Sequence, residues 1–177
     1  FSFFGLFADT STCPPVPTGN CRGAGKSTLQ VVNDPTDDSK DKLTYKWSKG
    51  ADTTLEELGT PATGTPYALC LYSGETVATV LLPTGGVWEP SGSTGYKMKD
   101  ETGTPNGGQS AKLKSGLGGK ASAQVKGKGV NLTDLLVPTL DLPVTAQLTN
   151  QENTVCFGGV YTTATKNEGK VFNASAP

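Results

Sequence analysis

The stretch PYALCLYSGETVATVLLP, residues 66–83, decides the fold class of this chain. Residues 66–73 and 76–83 are two short apolar runs of period two, and the turn-forming pair Ser73-Gly74 lies between them. Period-two alternation places successive side chains on opposite faces of an extended strand. The stretch therefore predicts two short strands joined by a turn.

The same pattern recurs along the chain. Further strands are predicted at residues 27–33, 42–48, 95–99, 109–115, 120–127, 144–149, 154–161 and 169–173. The 177 residues include 23 Gly and 12 Pro, and the most helix-like piece is the short TTLEEL, residues 53–58. About ten short strands joined by many turns predict an all-β fold, an antiparallel β-sandwich of jelly-roll or immunoglobulin-like type. The apolar, proline-containing residues 130–143 are interpreted as an extended crossover packed on the core.

The stretch GNCRGAGKST, residues 19–28, raises the question of a nucleotide site. The phosphate-binding loop requires glycine five places before Gly25, and that position holds Asn20. A helix must also follow the loop, whereas LQVVNDP is β-branched and stops at a proline. We predict that the chain binds no nucleotide, and we interpret GAGK as a flexible entry into the first core strand.

The formal net charge is −1, and no apolar run approaches the roughly 20 residues that span a bilayer. We therefore expect no nucleic-acid partner and no membrane insertion. Lysine alternates with small or apolar residues in YKMKD, AKLKS and QVKGKG. This pattern predicts strands with lysine on a solvated face, which also discourages unwanted strand pairing. A lysine-lined groove for an anionic ligand is the alternative.

The chain has no histidine, which excludes Ser-His-Asp and Cys-His catalytic sets. The carboxylate pairs Glu56/Glu57 and Asp100/Glu101 are adjacent in sequence, so their side chains do not naturally face each other. We expect a protein that is not an enzyme and that needs no cofactor.

Two groups of side chains are weaker candidates for ligand binding. The acidic stretch NDPTDDSKD is interpreted as a hairpin loop rich in turn-forming aspartate, and a Ca²⁺ site formed by Asp34, Asp37, Asp38 and Asp41 is the alternative. Among the aromatic residues, Trp47 alternates with Leu43 and Tyr45 and should face the core, and Tyr72 is a further candidate. The aromatic residues expected to face a sugar ligand are Trp88 and Tyr96.

Four cysteines, an even number, indicate disulfides and an oxidising compartment: Cys13, Cys21, Cys70 and Cys156. Three connectivities exist, and we favour Cys13–Cys21 with Cys70–Cys156, because the first pair flanks a short proline-rich loop. The chain begins with Phe1, which we interpret as the result of signal-peptide removal; a fragment of a longer chain is the alternative.

Several segments in this order resemble a known group of proteins. They are CRGAGKSTLQVVND, SKDKLTYKWSKG, YALCLYSG, GYKMKDETGTPNG, AKLKSG with GKASAQVKGKG, and PVTAQL followed by VCFGGVY. Together they resemble poorly characterised, secreted β-rich modules of myxobacterial and related delta-proteobacterial type, over residues 21–177. The resemblance implies an extracellular β fold and no known chemistry.

The N-terminal stretch FSFFGLFADT lies outside that resemblance. Its side chains are apolar on both faces of a strand, at Phe1, Phe3, Phe4, Leu6 and Phe7. We predict an arm and hinge at residues 1–20 and a sandwich domain at 21–177. The arm either forms a strand of its own domain or inserts into a neighbouring copy as a donated strand.

The expected function is a structural subunit of an extracellular bacterial filament or surface assembly, a homopolymer built by donation of the N-terminal strand. The alternative is a secreted, monomeric module that binds glycans or matrix.

Overall fold

The computed structural model describes residues 13–132 and 139–177, which form a β-sandwich of two antiparallel sheets. The strands are β1 (Ala24–Val32), β2 (Lys42–Gly50), β3 (Tyr67–Ser73), β4 (Thr76–Leu82), β5 (Trp88–Pro90), β6 (Gly95–Lys99), β7 (Gly108–Lys114), β8 (Ala121–Lys128), β9 (Val144–Asn150), β10 (Cys156–Tyr161), β11 (Lys166–Glu168) and β12 (Val171–Ala176). Two 3₁₀ turns lie at Asp38–Lys40 and Glu56–Leu58. The described residues include no helix long and apolar enough to cross a membrane.

The two sheets differ in size and strand order. The larger has eight strands in the order β11-β12-β1-β2-β8-β7-β6-β5, and the smaller has four in the order β10-β9-β3-β4. The chain crosses between the sheets after β2, β4, β8 and β10. β3 therefore lies inside the smaller sheet, between β4 and β9.

β2 shows how the sequence pattern produces this architecture. Its sequence KLTYKWSKG points Leu43, Tyr45 and Trp47 into the core, where each is at most 1% exposed. Lys42 and Lys46 point to solvent from the opposite face. Burial of one face of each sheet against the other supplies the main stabilisation of a sandwich. The predicted core role of Trp47 is confirmed.

All ten predicted strands are present, with ends that differ by a few residues at most. The sequence analysis missed β5 and β11, because three residues are too few to show an alternation. Ala24, Gly25 and Lys26 belong to β1, so the expected flexible entry is wrong, and this glycine-rich stretch opens a strand instead of a helix. Leu132 and Leu140 are buried in the core, as expected for the ends of the crossover at residues 130–143.

Gly50 at the end of β2 should be intolerant of any side chain. A Cβ added there would lie 1.9 Å from two ring carbons of Trp47, the largest fully buried side chain of the core. We expect Gly50→Ala to lower the free energy of unfolding by about 1–3 kcal/mol, measured by urea denaturation, because the indole must shift within a packed core. Gly86→Ala is the matched control, since nothing lies within 4 Å of its added Cβ. Equal stability of the two variants would contradict this packing.

Candidate functional site: the outer face of the four-stranded sheet

β3 is buried on both faces, which is unusual for a strand in a sandwich. Its inward side chains, Tyr67, Leu69 and Leu71, belong to the main core. Its outward side chains form a second buried cluster: Ala68 (0% exposed), Cys70 (0%) and Tyr72 (4%). Cys13, Val77 and Leu81 pack against this outer cluster. The strands β3, β4, β9 and β10 contain no charged residue. The outward side chains of this sheet are therefore suited to packing against another segment of protein and not to contact with water.

Residues 13–22 lie across the outside of this sheet. Cys13 is bonded to Cys70 of β3, with Cα atoms 5.6 Å apart. The Thr18 amide donates to Gln147 Oε1 of β9 at 3.0 Å, and Gln147 Nε2 donates back to the Thr18 carbonyl at 2.8 Å. Cys21 is bonded to Cys156 of β10. The segment thus passes from β3 over β9 to β10, fastened at each strand.

The disulfides correct the pairing favoured from the sequence. The bridges are Cys13–Cys70 and Cys21–Cys156, not Cys13–Cys21 and Cys70–Cys156. β9 separates β3 from β10, so Cys70 and Cys156 lie at least two strand spacings apart, which is about 9.6 Å or more. That distance exceeds the roughly 7 Å beyond which two Cα atoms cannot be bridged. The expected hinge is consequently held against the domain at Cys13 and Cys21.

Arg22 closes the border of the sheet at β10. Its backbone amide donates to the Cys156 carbonyl at 2.8 Å, and its carbonyl accepts from the Gly158 amide at 2.9 Å. The guanidinium donates to Glu57 Oε2 at 3.1 Å and to Thr53 Oγ1 at 3.0 Å. The Arg22 hydrogen bonds, with the Thr54 amide, lower the pKa of Glu57 to about 2. No sequence motif indicates this contact, because the two residues are 35 positions apart.

The four sheet borders are protected to different degrees. β5 and β11 have three residues each and carry Pro90 or charged residues, devices that discourage addition of a strand. Arg22 covers β10. β4, by contrast, has seven residues, TVATVLL, without charge or proline. Within residues 13–132 and 139–177, its one neighbouring strand is β3.

The arm residues Phe1, Phe3, Phe4, Leu6 and Phe7 lie outside the described residues. The structure does describe where the arm is attached. Cys13, the first described residue, is bonded to the outer side of β3, one strand away from β4. We name the surface formed by Val77 and Leu81, which lie against the buried Ala68, Cys70 and Tyr72, together with the adjoining border of β4, the arm seat.

The aromatic residues expected to bind a sugar do not form an exposed platform. Trp88 is 4% exposed, and its indole Nε1 donates to the Pro83 carbonyl at 2.7 Å inside the core. This corrects its assignment as a ligand-facing residue: its loop folds inward and places the ring 6.3 Å from that of Tyr67. Tyr96 is partly buried and also packs against the core.

The acidic candidates make contacts within the protein instead of converging on a common point. Asp34 and Asp41 are buried, and Asp41 Oδ1 accepts from the Asp34 amide at 2.7 Å. Asp37 accepts from Ser39 at the start of the first 3₁₀ turn, and Asp38 is exposed. No group of three or more Cys, Asp or Glu side chains arranged for a metal ion is found among the described residues. The turn interpretation therefore fits this loop better than the Ca²⁺ interpretation.

The adjacent carboxylates are also used locally. Glu57 binds Arg22, whereas Glu56 is exposed. Asp100 accepts from the Thr102 amide and hydroxyl, and Glu101 forms an exposed ion pair with Lys99. Neither pair of carboxylates is therefore arranged around a shared contact.

Comparison of the chain with protein-family models, with curated proteins and with solved structures gives no significant match. The resemblance to secreted myxobacterial modules therefore stays a prediction. The two disulfides themselves indicate an oxidising environment.

The disulfide pairing can be checked directly. Non-reducing peptide mapping should link Cys13 to Cys70 and Cys21 to Cys156. The closed loops span 57 and 135 residues, and chain entropy assigns each bridge, counted separately, about 4–5 kcal/mol of stabilisation. The double variant Cys13→Ser/Cys70→Ser should thus be measurably less stable while retaining the Cys21–Cys156 bridge. Recovery of a Cys13–Cys21 peptide would contradict the described path of residues 13–22.

The free energy of unfolding should decrease at acidic pH because of Asp34. Its carboxylate accepts from Lys170 Nζ at 2.7 Å and from Thr36, and these hydrogen bonds lower its pKa to about 2. Because the folded pKa lies below the ordinary value of about 4, the contribution is fully present above pH 4 and is lost as the pH falls toward 2. Asp34→Asn should flatten the pH dependence of urea unfolding in this window. Asp38→Asn, an exposed neighbour, should leave the dependence unchanged, and equal profiles for the two variants would rule out the role of Asp34.

Proposed function

We propose that this protein is a structural subunit of an extracellular bacterial filament or surface assembly, in which residues 1–7 of one copy occupy the arm seat of the next. The main support for the proposal is the position of the arm. The arm is attached at Cys13, directly beside the apolar, uncharged arm seat and the seven-residue border strand β4. The arm and the border are matched in length and in chemistry.

The seat suits an apolar strand for two physical reasons. Val77 and Leu81, which are only partly buried, offer uncharged side chains to an arm that carries four phenylalanines and one leucine. The Tyr72 hydroxyl is buried without a hydrogen-bond partner among the described residues, and burial raises its pKa. An unpaired buried hydroxyl is costly, and a backbone carbonyl of an added strand can accept its proton.

Energetics require the arm to pair its backbone as well as bury its side chains. Burial of five large apolar side chains yields roughly 8–15 kcal/mol as an upper bound. Ordering seven residues costs about 10 kcal/mol. The two terms nearly cancel, so hydrogen bonds to a sheet border decide whether the arm is held. We assign those bonds to β4, because its length and apolar character match those of the arm.

The length of the arm and the head-to-tail direction of the contact favour a chain of copies. The twelve residues before Cys13 span about 40 Å when extended, which is enough to reach a second copy stacked against this sheet. The donor is the N-terminus and the acceptor is β4, so the contact is head-to-tail and leaves one free arm and one free seat at the ends. Repetition of such a contact builds a filament or a closed ring.

Deletion of residues 1–7 tests the proposal. The shortened chain keeps both disulfides and every described strand, so its circular dichroism should stay that of a β protein. Its assemblies should disappear in size-exclusion chromatography and electron microscopy. A synthetic FSFFGLFADT peptide should bind the shortened chain and raise its melting temperature, because a ligand of the native state stabilises it. Assemblies of the shortened chain identical to those of the intact chain would exclude donation by this arm.

Two double variants distinguish a specific contact at the arm seat from a general effect of added charge on assembly. Phe3→Asp/Phe4→Asp should abolish assembly, because two carboxylates would enter an apolar seat without partners. Thr10→Asp/Ser11→Asp adds the same charge in the polar part of the arm and should assemble normally. Loss of assembly in both variants would point to net charge instead of the apolar contact.

A further inference from the structure

The outside of the larger sheet has the opposite chemistry to the arm seat. Four consecutive strands, in the order β2-β8-β7-β6, each present two exposed lysines on the outer face. These eight residues define the lysine face: Lys42, Lys46, Lys126, Lys128, Lys112, Lys114, Lys97 and Lys99. The four strands contain no acidic residue.

The face concentrates charge on a chain that is nearly neutral. It carries eight of the fifteen basic residues, which leaves seven basic and sixteen acidic residues elsewhere in the sequence. Neighbouring strands lie about 4.8 Å apart, and alternate residues of one strand lie about 6.8 Å apart. These spacings are below the Debye length of about 8 Å at physiological salt, so the lysine charges reinforce one another.

The lysines are poorly neutralised within the protein. Lys42 stands directly opposite Lys128, and Lys97 stands directly opposite Lys112. Like charges opposite each other weaken strand pairing. Among the described ion pairs, only Lys97–Glu89 and Lys99–Glu101 involve this face, and both lie at its β6 border. A few scattered lysines are enough to keep a sheet face in contact with solvent. On this face, lysines of neighbouring strands stand directly opposite each other.

We propose that the lysine face binds a linear, carboxylate-bearing polysaccharide. A flat array of ammonium groups at regular spacing complements a polymer whose negative charges also repeat regularly. The two disulfides indicate an oxidising environment, which favours an extracellular polymer as the ligand over an intracellular one. This inference does not depend on strand donation.

Other polyanions fit the face less well. Its four strands present no outward aromatic ring for stacking a nucleic-acid base, since Tyr45, Trp47 and Tyr96 all pack on the core side. A second copy of this chain is also a poor match, because Asp34 and Asp41 of its most acidic loop are buried in internal hydrogen bonds.

Binding to polygalacturonate, with neutral dextran as the reference polymer, tests the proposal by titration calorimetry. The intact protein should bind polygalacturonate and not dextran, with affinity that falls as NaCl rises. Lys112→Gln/Lys126→Gln removes two central charges of the face and should weaken binding at least fivefold. Lys40→Gln/Lys170→Gln removes equal charge from ion pairs at the loop end of the sandwich and should change affinity less than twofold.

Circular dichroism is used to check that each variant is folded. The salt dependence of binding by the intact protein is a second test that requires no variant. Unchanged affinity in Lys112→Gln/Lys126→Gln, or binding insensitive to salt, would overturn the proposal. Tighter binding of the intact protein to duplex DNA or to phosphatidylglycerol vesicles than to polygalacturonate would likewise reject a glycan as the occupant.

Discussion

Strand β3 has side chains buried on both of its faces, and the organisation of this sandwich depends on that constraint. A strand in a two-layer sandwich normally buries one face and exposes the other to water. Here Ala68, Cys70 and Tyr72 form an apolar outer cluster, so the smaller sheet needs a cover on its outside. Residues 13–22 supply part of that cover and are held there by two disulfides and by Gln147. The path of this segment also fixes where the N-terminal arm begins.

The two outer surfaces of the sandwich have complementary roles in our account. The smaller sheet is uncharged and has one long, apolar border strand, β4. The larger sheet has short or charged border strands and a dense set of lysines. We expect like charges on the lysine face to keep copies from associating through that surface. A filament formed in this way would display lysine faces along its length.

Much of the fold could be predicted from the sequence, because strand alternation is a local signal. The run Leu43, Tyr45, Trp47 identifies the core face of β2 without knowledge of its neighbours. Strand order is not local, and this is why the favoured disulfide pairing is wrong: Cys70 and Cys156 both lie on strands, but β9 separates those two strands. Trp88 was misassigned for a similar reason, since its Gly/Pro-rich loop gives no indication that it turns inward onto Tyr67.

The candidate site was only partly predictable. The apolar arm and the alternating lysines are visible in the sequence, but the arm seat requires β3 and β4 to be adjacent. The lysine face requires the distant strand β2 to pair with β8, the last strand of the consecutive series β6, β7 and β8. The contacts of Arg22 with Glu57 and of Thr18 with Gln147 join distant residues and have no sequence signature.

The central claim is that the arm of one copy occupies the seat of another, and a mixed-isotope cross-linking measurement tests it most directly. A photo-reactive phenylalanine analogue replaces Phe3 in ¹⁴N and ¹⁵N protein, the two pools are unfolded and refolded together under oxidising conditions, and cross-linked peptides are analysed by mass spectrometry. Our account predicts links between position 3 and β4 that join light to heavy chains in the proportion given by random mixing. Links to β4 found only within chains of one isotope would show that the arm folds onto its own domain and would contradict strand donation.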